Sequence, residues 1–525
     1  MVNAESGARI NVNDQQYALN YIKAPYFQVS IILIGVFMSI LDTSIVNVAI
    51  PTMESELSAN TDQIQWVVTA YVLAIGVLIP ISGWLTDKFG AKRLFLFALS
   101  AFTLGSALCG MAWNLPTMIG FRIIQASGGG FMVPVANSMI YRIFPPDKRG
   151  LVMGLFGITI MSAPALGPLL SGYFVEYASW RYSFYINVPI GLSAIMLTMF
   201  FLYDFPHRVE TKMDIWGFLF SCIGFFFLLY GVNNAATDGW TSLKVSLSIA
   251  SGVIFLIALV VIELKTVYPI IDLRILTNPM FSMSIAITSV VNVIVYTALF
   301  IIPIYLQIIL GYTALQTGMF MTPGAIAAIM MMIIGGLLFD KIGAKMIALI
   351  GLLFLGVSVY EISWMSVNST GGQIEFLLII LNIGVSLTMV TISTSGMNML
   401  PIIKLSQGSA VSNALREVIA SLGTAILASY LSTRIKMHLY HLTAQITPFS
   451  SYGLELRNFR IKLENKGLPF TVAHKDALVI IYNSLHNDSF VYAMDDVFIV
   501  CTLITIFAFL LTLLYKARIH GPSDS

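Results

Sequence analysis

Residues 83–93 read GWLTDKFGAKR and residues 336–345 read GLLFDKIGAK: a glycine, Asp-Lys and Gly-Ala-Lys recur at the same spacing, 253 positions apart. Each copy follows an apolar block long enough to cross a membrane. Such a repeat divides the chain into two parallel halves, the plan on which many secondary transporters are built. A solvated basic loop explains the lysines and Arg93. It does not explain the fixed placing of Gly83, Asp87 and Gly90, nor of Asp340 and Gly343 in the second copy. Glycine permits a tight turn and close helix approach. Asp87 is suited to meet a neighbouring helix N-terminus or a basic side chain. The loop reads as a gating element between rocking halves.

Around this repeat the composition is that of a polytopic membrane protein. Of 525 residues, 57% are hydrophobic and only 10% charged, against roughly 25% charged in soluble proteins. An α-helix needs about 20 apolar residues to cross ~30 Å of hydrocarbon. Blocks of that kind recur near 27–50, 63–84, 94–113, 115–138, 150–174, 183–203, 215–234, 244–264, 280–302, 315–338, 346–366, 374–398, 409–432 and 494–515. The expected fold is all-α with 14 transmembrane helices. Aligning the two loops puts span 2 in register with span 10, so spans 7 and 8 are an extra pair inserted between two six-helix bundles. The units expected are a tail (1–24), a first bundle (25–204), a linker with two extra spans (205–279) and a second bundle (280–525) that includes an external segment at 434–493.

Charge sets the orientation. With the N-terminus inside, the even-numbered loops and C-terminal tail hold fifteen lysines and arginines, and the short outer loops hold only Arg181 and Lys244. Basic residues collect on the cytoplasmic side, so both termini are expected there. The first apolar block is too long for a signal-peptide core and is read as span 1. The stretch 434–493 carries seven more cations, but long loops cross regardless of charge. Its composition suggests one or two amphipathic helices, or a re-entrant hairpin.

Several classes drop out. A net charge of +2 offers no basic surface for nucleic acid, and no GxxxxGK[ST] loop is present to couple ATP directly. No nucleophile–base spacing suggests an enzyme, and no His/Cys cluster suggests a metal. Cys109, Cys222 and Cys501 fall in apolar blocks and read as small core residues.

Five motifs, in order along nearly the whole chain, resemble those of the major facilitator superfamily in its 14-helix drug:proton antiporter branch. LDTSIVNVAIP (41–51) is similar to that branch's first-helix signature and supplies Asp42, Asn47 and Pro51. GWLTDKFGAKR matches the superfamily loop motif at Gly83, Asp87, Gly90 and Arg93. RIIQASGGG (122–130) resembles the fourth-helix motif, with Arg122 and Gln125, and APALGPLLSG (163–172) the fifth-helix antiporter motif, with Pro164, Gly167, Pro168 and Gly172. WRYSFYINVPIG (180–191) is similar to the entry to helix 6. The resemblance implies a major facilitator fold, alternating access, and transport driven by the proton gradient with no cofactor. It also implies a fifth helix, bent by its prolines and closely packed, that seals the path between the halves.

A charge at membrane depth is costly and marks function by default. Asp42 lies nine residues before Pro51, or ~14 Å below the outer surface. Arg122 lies seven residues past Leu115, or ~10 Å deep, so the two reach a similar level. In the family this chain resembles, spans 1 and 4 both line the central cavity. Desolvation raises a carboxylate pKa and a nearby Arg lowers it. Asp42 is therefore expected to take up a proton and a substrate cation in turn, with Arg122 as its partner; a static ion pair is the competing reading. Glu417, beside Arg416 in span 13, is the second candidate proton-coupling acid, or a structural pair at the helix end. Gln65, Trp66, Tyr71, Gln125, Asn292, Tyr296, Tyr305 and Asn382 are candidate substrate contacts. The 26 methionines and 34 phenylalanines suit an adaptable apolar site.

The function expected is proton-coupled export of diverse lipophilic or cationic drugs across a bacterial cell membrane. The protein is expected to work as a monomer in the lipid bilayer, with the need for an adaptor protein left open. An exporter dedicated to one endogenous metabolite, antibiotic or lipid is the alternative, and a non-transporting membrane receptor a more distant one.

Overall fold

In the computed structural model residues 24–205, 214–266, 269–367 and 369–516 are described. The expected N-terminal tail, and Arg208, Lys212 and Arg518 of the cytoplasmic set, lie outside them. All regular structure among the described residues is helical. Fourteen long helices cross the bundle: α1 (Pro25–Glu56), α2 (Trp66–Phe89), α3 (Ala91–Gly110), α4 (Leu115–Ile143), α5 (Arg149–Tyr177), α6 (Tyr182–Phe201), α7 (Ile215–Asp238), α8 (Leu243–Lys265), α9 (Pro279–Ile308), α10 (Ala314–Ile342), α11 (Ala344–Ile362), α12 (Gly371–Asn398), α13 (Leu405–Ala444) and α15 (Phe470–Leu514). A shorter helix, α14 (Ser451–Asn465), lies outside the bundle. Twelve of the long helices have the length and apolarity to cross a membrane on composition alone. The other two are α4 and α5, which carry the polar and small residues of the motifs.

Local chemistry explains the ends. Capping boxes at Asn114 and Thr313 start α4 and α10, and the Asn278 side chain accepts from the Met280 and Phe281 amides at the start of α9. Such caps satisfy amides that lack an intrahelical partner. Pro80 removes one donor inside α2, where the chain tightens to a 3-10 turn over Ile79–Ile81.

The largest departure from expectation is at 434–493. One separate helix of the kind expected, α14, is present, but most of the segment continues the two flanking helices. Helix α13 runs for 40 residues and the last helix, α15, for 45, so each is roughly 60–70 Å long, about twice the hydrocarbon thickness. The reason is in the sequence: 424–444 and 470–514 contain no glycine or proline, so nothing stops the helix where hydropathy falls. Hydropathy reports depth in the membrane and not helix ends. The two arms are tied by Asp496, which receives Arg434 Nε at 2.5 Å and His438 Nε2 at 2.7 Å. Helix α14 lies along α15, with Tyr452 donating to Asp488.

The two largest hydrophobic cores among the described residues organise the bundle. One gathers residues of α1–α8 and reaches across to Met332, Val390, Met397 and Val411. The other is built from α9, α11, α12, α13 and α15. Helices α7 and α8 pack chiefly on each other and reach the bundle through α2 and α13.

Candidate functional site

Asp42 is completely buried, on α1. Its Oδ2 receives Arg122 Nη1 from α4 at 2.6 Å. Its Oδ1 receives Gln125 Nε2 at 2.8 Å and Asn187 Nδ2 from α6 at 2.9 Å. Arg122 also donates to Gln125 Oε1 at 2.7 Å and to the Val67 carbonyl of α2 at 3.1 Å, and its guanidinium carbon lies 3.9 Å from the centre of the Tyr71 ring. Small residues make this convergence possible. A Cβ on Gly105 would lie 2.4 Å from Gln125 Cα, and one on Gly129 would lie 2.7 Å from the Tyr71 hydroxyl. With hydrogen there, α3 comes close enough for Ser106 Oγ to accept from Gln125 Nε2 at 2.7 Å.

An ion pair removed from water costs several kcal/mol per ion unless the remaining hydrogen-bonding capacity is met. Here three donors meet the carboxylate, and one carboxylate, one amide, one carbonyl and the rings of Tyr71 and Phe184 meet the guanidinium. The expected pairing of Asp42 with Arg122 is direct. The expected opening onto a cavity is not found, because α1, α2, α3, α4 and α6 enclose the pair.

A second cluster lies in the other half. Tyr296 of α9, 37% exposed although within the bundle, donates its hydroxyl to Glu417 Oε2 of α13 at 3.5 Å. Arg416 turns the other way, to Asn413 Oδ1 at 2.8 Å and the Ser412 carbonyl. Asn292, half-buried, lies about one turn before Tyr296 on α9.

The halves meet at the end of the bundle that carries the two repeated loops. Asp340 accepts the backbone N–H groups of Gly150 and Leu151, at 3.2 and 3.4 Å, so that α10 caps the first turn of α5. Arg149 donates to Asn398 at 2.7 Å, Arg142 to Ser406 at 2.5 Å, and Ser409 to the Pro134 carbonyl at 2.8 Å. Asp87 sits 3.6 Å from Arg142. Glycine makes the contact close: a Cβ on Gly150 would stand 2.4 Å from the Gly336 carbonyl, one on Gly154 2.5 Å from that of Met332, and one on Gly83 3.1 Å from Gln407 Cα. Gly90 and Gly343 take φ of 90° and 88°, a backbone that other residues rarely adopt. The repeat seen in the sequence is thus a repeat in conformation.

Residues 32–424 match the family model of the Major Facilitator Superfamily. The chain belongs to this superfamily. It is a multi-pass membrane transporter of small molecules and not an enzyme. It is 37% identical over 498 residues to the uncharacterized MFS-type transporter YhcA of Bacillus subtilis, covering 94% of this chain and 93% of that protein. It is 31% identical to the lincomycin resistance protein LmrB of the same organism, over 80% of this chain and 86% of the relative. With the multidrug export protein EmrB of Escherichia coli it shares 28% identity over 89% and 90% of the two chains. Among solved structures, the human organic anion transporter MFSD10 superposes with a TM-score of 0.58 at 11% identity, covering 92% of this chain and all of that one. That likeness speaks to the fold alone.

Within this facilitator the candidate residues divide. Asp42, Arg122, Gln125 and Tyr71 form one site, and Tyr296 with Glu417 another. The rest do not join them. Trp66 packs on Tyr230 of α7, with ring centres 6.0 Å apart, and Gln65 is exposed at the start of α2. Tyr305 is buried in the second core and donates to the Ser366 carbonyl at 2.8 Å. Asn382 bonds the Leu378 carbonyl of its own helix and lies against Gly324. Arg93 is exposed and forms no ion pair among the described residues; Arg142 pairs with Asp87 instead. On α5, Gly167 packs on α1, where a Cβ would meet Ser44 Oγ at 2.3 Å, but Gly172 faces open space. The side chains of Pro164 and Pro168 lie outside the described set. The helix continues through both positions, from Arg149 to Tyr177.

Sequence reading missed Asn187 and Ser106. Asn187 carried a usable signal, as the only side-chain amide in an otherwise apolar span. Ser106 had none, because a serine in a membrane helix most often bonds its own backbone.

Proposed function

We propose that this facilitator is a proton-driven antiporter that exports lipophilic and cationic compounds from a bacterial cell. It works by alternating access, as a monomer, with both termini in the cytoplasm and no cofactor beyond the proton gradient. The observation that carries this reading is the sealed Asp42–Arg122 pair. Three donors meet this carboxylate in a site closed to solvent, and they come from two other helices. A shift of α1 against α4 or α6 that removes a donor raises its proton affinity, so proton uptake and helix movement become one event. Moving one proton through the membrane potential releases about 2.3 kcal/mol per 100 mV, enough for roughly a 50-fold gradient of substrate.

The repeated loops are taken as cytoplasmic on the balance of basic residues, which makes this form sealed on the inside. Gly83, Asp87, Gly90, Asp340 and Gly343 then belong to the inner gate. The sealed pair leaves Glu417 and Tyr296 as the groups placed to meet a substrate cation, with Asn292 beside them. The names of LmrB and EmrB, a resistance protein and a multidrug exporter, favour drugs over a single metabolite.

The test is substrate-induced proton release from purified protein in liposomes, with a panel of mono- and dicationic dyes. Wild type is expected to exchange protons for dye, and Asp42→Asn to lose the exchange. Equal exchange by the variant would sink the coupling role of Asp42. Transport of no dye at all would turn the reading to a dedicated metabolite exporter.

A further inference from the structure

Three side chains donate to Asp42, and Asn187 is the one that is not fully used. Arg122 donates through Nη1 and Nε. Gln125 employs both ends of its amide, Oε1 accepting from Arg122 and Nε2 donating to Asp42 and Ser106. Asn187 employs only Nδ2, which lies 2.9 Å from Asp42 Oδ1 and 3.5 Å from Ser106 Oγ. Its Oδ1 is buried and accepts nothing among the described residues. Asn187 therefore holds an acceptor in reserve beside the carboxylate, one that the other two donors do not offer.

Protonation of Asp42 calls on that acceptor. A carboxylate only accepts, whereas a carboxylic acid must place one O–H on an acceptor. At Oδ1 the neighbours are two amide donors, Gln125 Nε2 and Asn187 Nδ2. Gln125 cannot invert without taking Oε1 away from Arg122. Asn187 can: a half-turn of its amide exchanges Nδ2 for Oδ1 and puts an acceptor where the donor stood. Ser106, a hydroxyl, serves as acceptor before the turn and donor after it.

We propose that Asn187 is a positioning residue for proton coupling, a two-state amide that donates to the Asp42 carboxylate and, turned over, accepts from the Asp42 carboxylic acid. The proton comes from water, bonds to Asp42 Oδ1 and leaves by the same bond, with no other covalent change. The other ionisable groups facing Asp42 are Arg122 from α4, Tyr71 from α2 and Cys109 from α3. Helix α5 presents Gly167 to this part of α1, and α6 presents Asn187 itself.

This inference rests on Asp42 as the proton carrier, and the experiment separates the two. Infrared difference spectra of the purified protein are recorded between acid and alkaline pH. The carboxylic-acid C=O band that disappears in Asp42→Asn belongs to Asp42. In Asn187→Leu, similar in size but without polar atoms, the band is expected to change frequency. Its midpoint is expected to rise by about one pH unit, because the bond lost by the charged form is the stronger of the two. Asn187→Ser, which can donate or accept, is expected to restore both. A raised midpoint with an unchanged band means a fixed donor and overturns the two-state amide, as does no change in either. If wild type shows no band that depends on Asp42, the proton-carrier reading itself fails.

Discussion

The carboxylate of Asp340, at the end of α10, receives the amide of Gly150, at the start of α5, across the boundary between the two halves. It acts as an N-cap supplied from the other half of the protein. Its partner in the repeat, Asp87, pairs with Arg142 near the start of α13. One loop chemistry thus closes the same end of the bundle twice.

Asp340→Ala is expected to weaken that closure by about 0.5–2 kcal/mol, the usual worth of a helix cap. Gly154→Val, which sets side-chain atoms against the Met332 carbonyl, is expected to cost about 1–3 kcal/mol at the same contact. Both shift the population toward opening at this end. Distances between spin labels on α4 and α13 at the loop end report the shift, and unchanged distributions would remove the gate from these contacts.

The Asp42–Arg122 pair predicts a strong asymmetry in stability. Asp42→Ala leaves a buried guanidinium without its counter-charge and is expected to cost about 3–5 kcal/mol. Adding Arg122→Met is expected to recover part of that loss, so the two changes are far from additive. Thermal unfolding of the four proteins in detergent reads the coupling directly. Simple additivity would mean that the ion pair contributes little beyond its separate contacts.

Glu417 leads to a prediction about selectivity. Glu417→Gln keeps size and hydrogen bonding but removes the charge, so transport of cationic dyes is expected to fall at least several-fold while neutral lipophilic compounds are spared. Tyr296→Phe, which deletes the hydroxyl bonded to Glu417, is expected to have a smaller effect in the same direction. Competition assays with matched charged and neutral substrates distinguish this from a general loss of transport.

Glu56 supplies a pH dependence away from the membrane interior. Hydrogen bonds from Arg181 and Trp180 hold its carboxyl below the ordinary value of 4.5. A depressed carboxyl pKa contributes stability above the unfolded value, and that stability is lost as pH falls through the lower, folded one. Melting temperature is therefore expected to drop on acidification below about pH 4.5, and Glu56→Gln to flatten that drop. An identical acid profile in the variant would show that the bond to Arg181 contributes no net stability.

Much of the fold was legible because lipid imposes a simple rule. A segment must be long, apolar and helical to cross, so twelve of the fourteen spans could be placed to within a few residues, and the last two, α13 and α15, could be placed but not bounded. Asp42, Arg122 and Gln125 were legible for the same reason, since polar groups at membrane depth are conspicuous. Trp66, Tyr305 and Asn382 do not join the Asp42 or Glu417 cluster, because neighbouring positions on a helix face different partners. Depth alone does not separate a cavity wall from the α7 face or the second core.

Residue order alone therefore established the helix count, the repeated loops and the polar residues at membrane depth, because those follow from burial cost and spacing along one chain. Only the packing of helices far apart in sequence decided the rest. It enclosed Asp42, recruited Asn187 as its partner and Ser106 as the partner of Gln125, and matched Asp340 to the first turn of α5. Each of these is a contact set by which atoms lie within about 3 Å, and no local pattern encodes that distance.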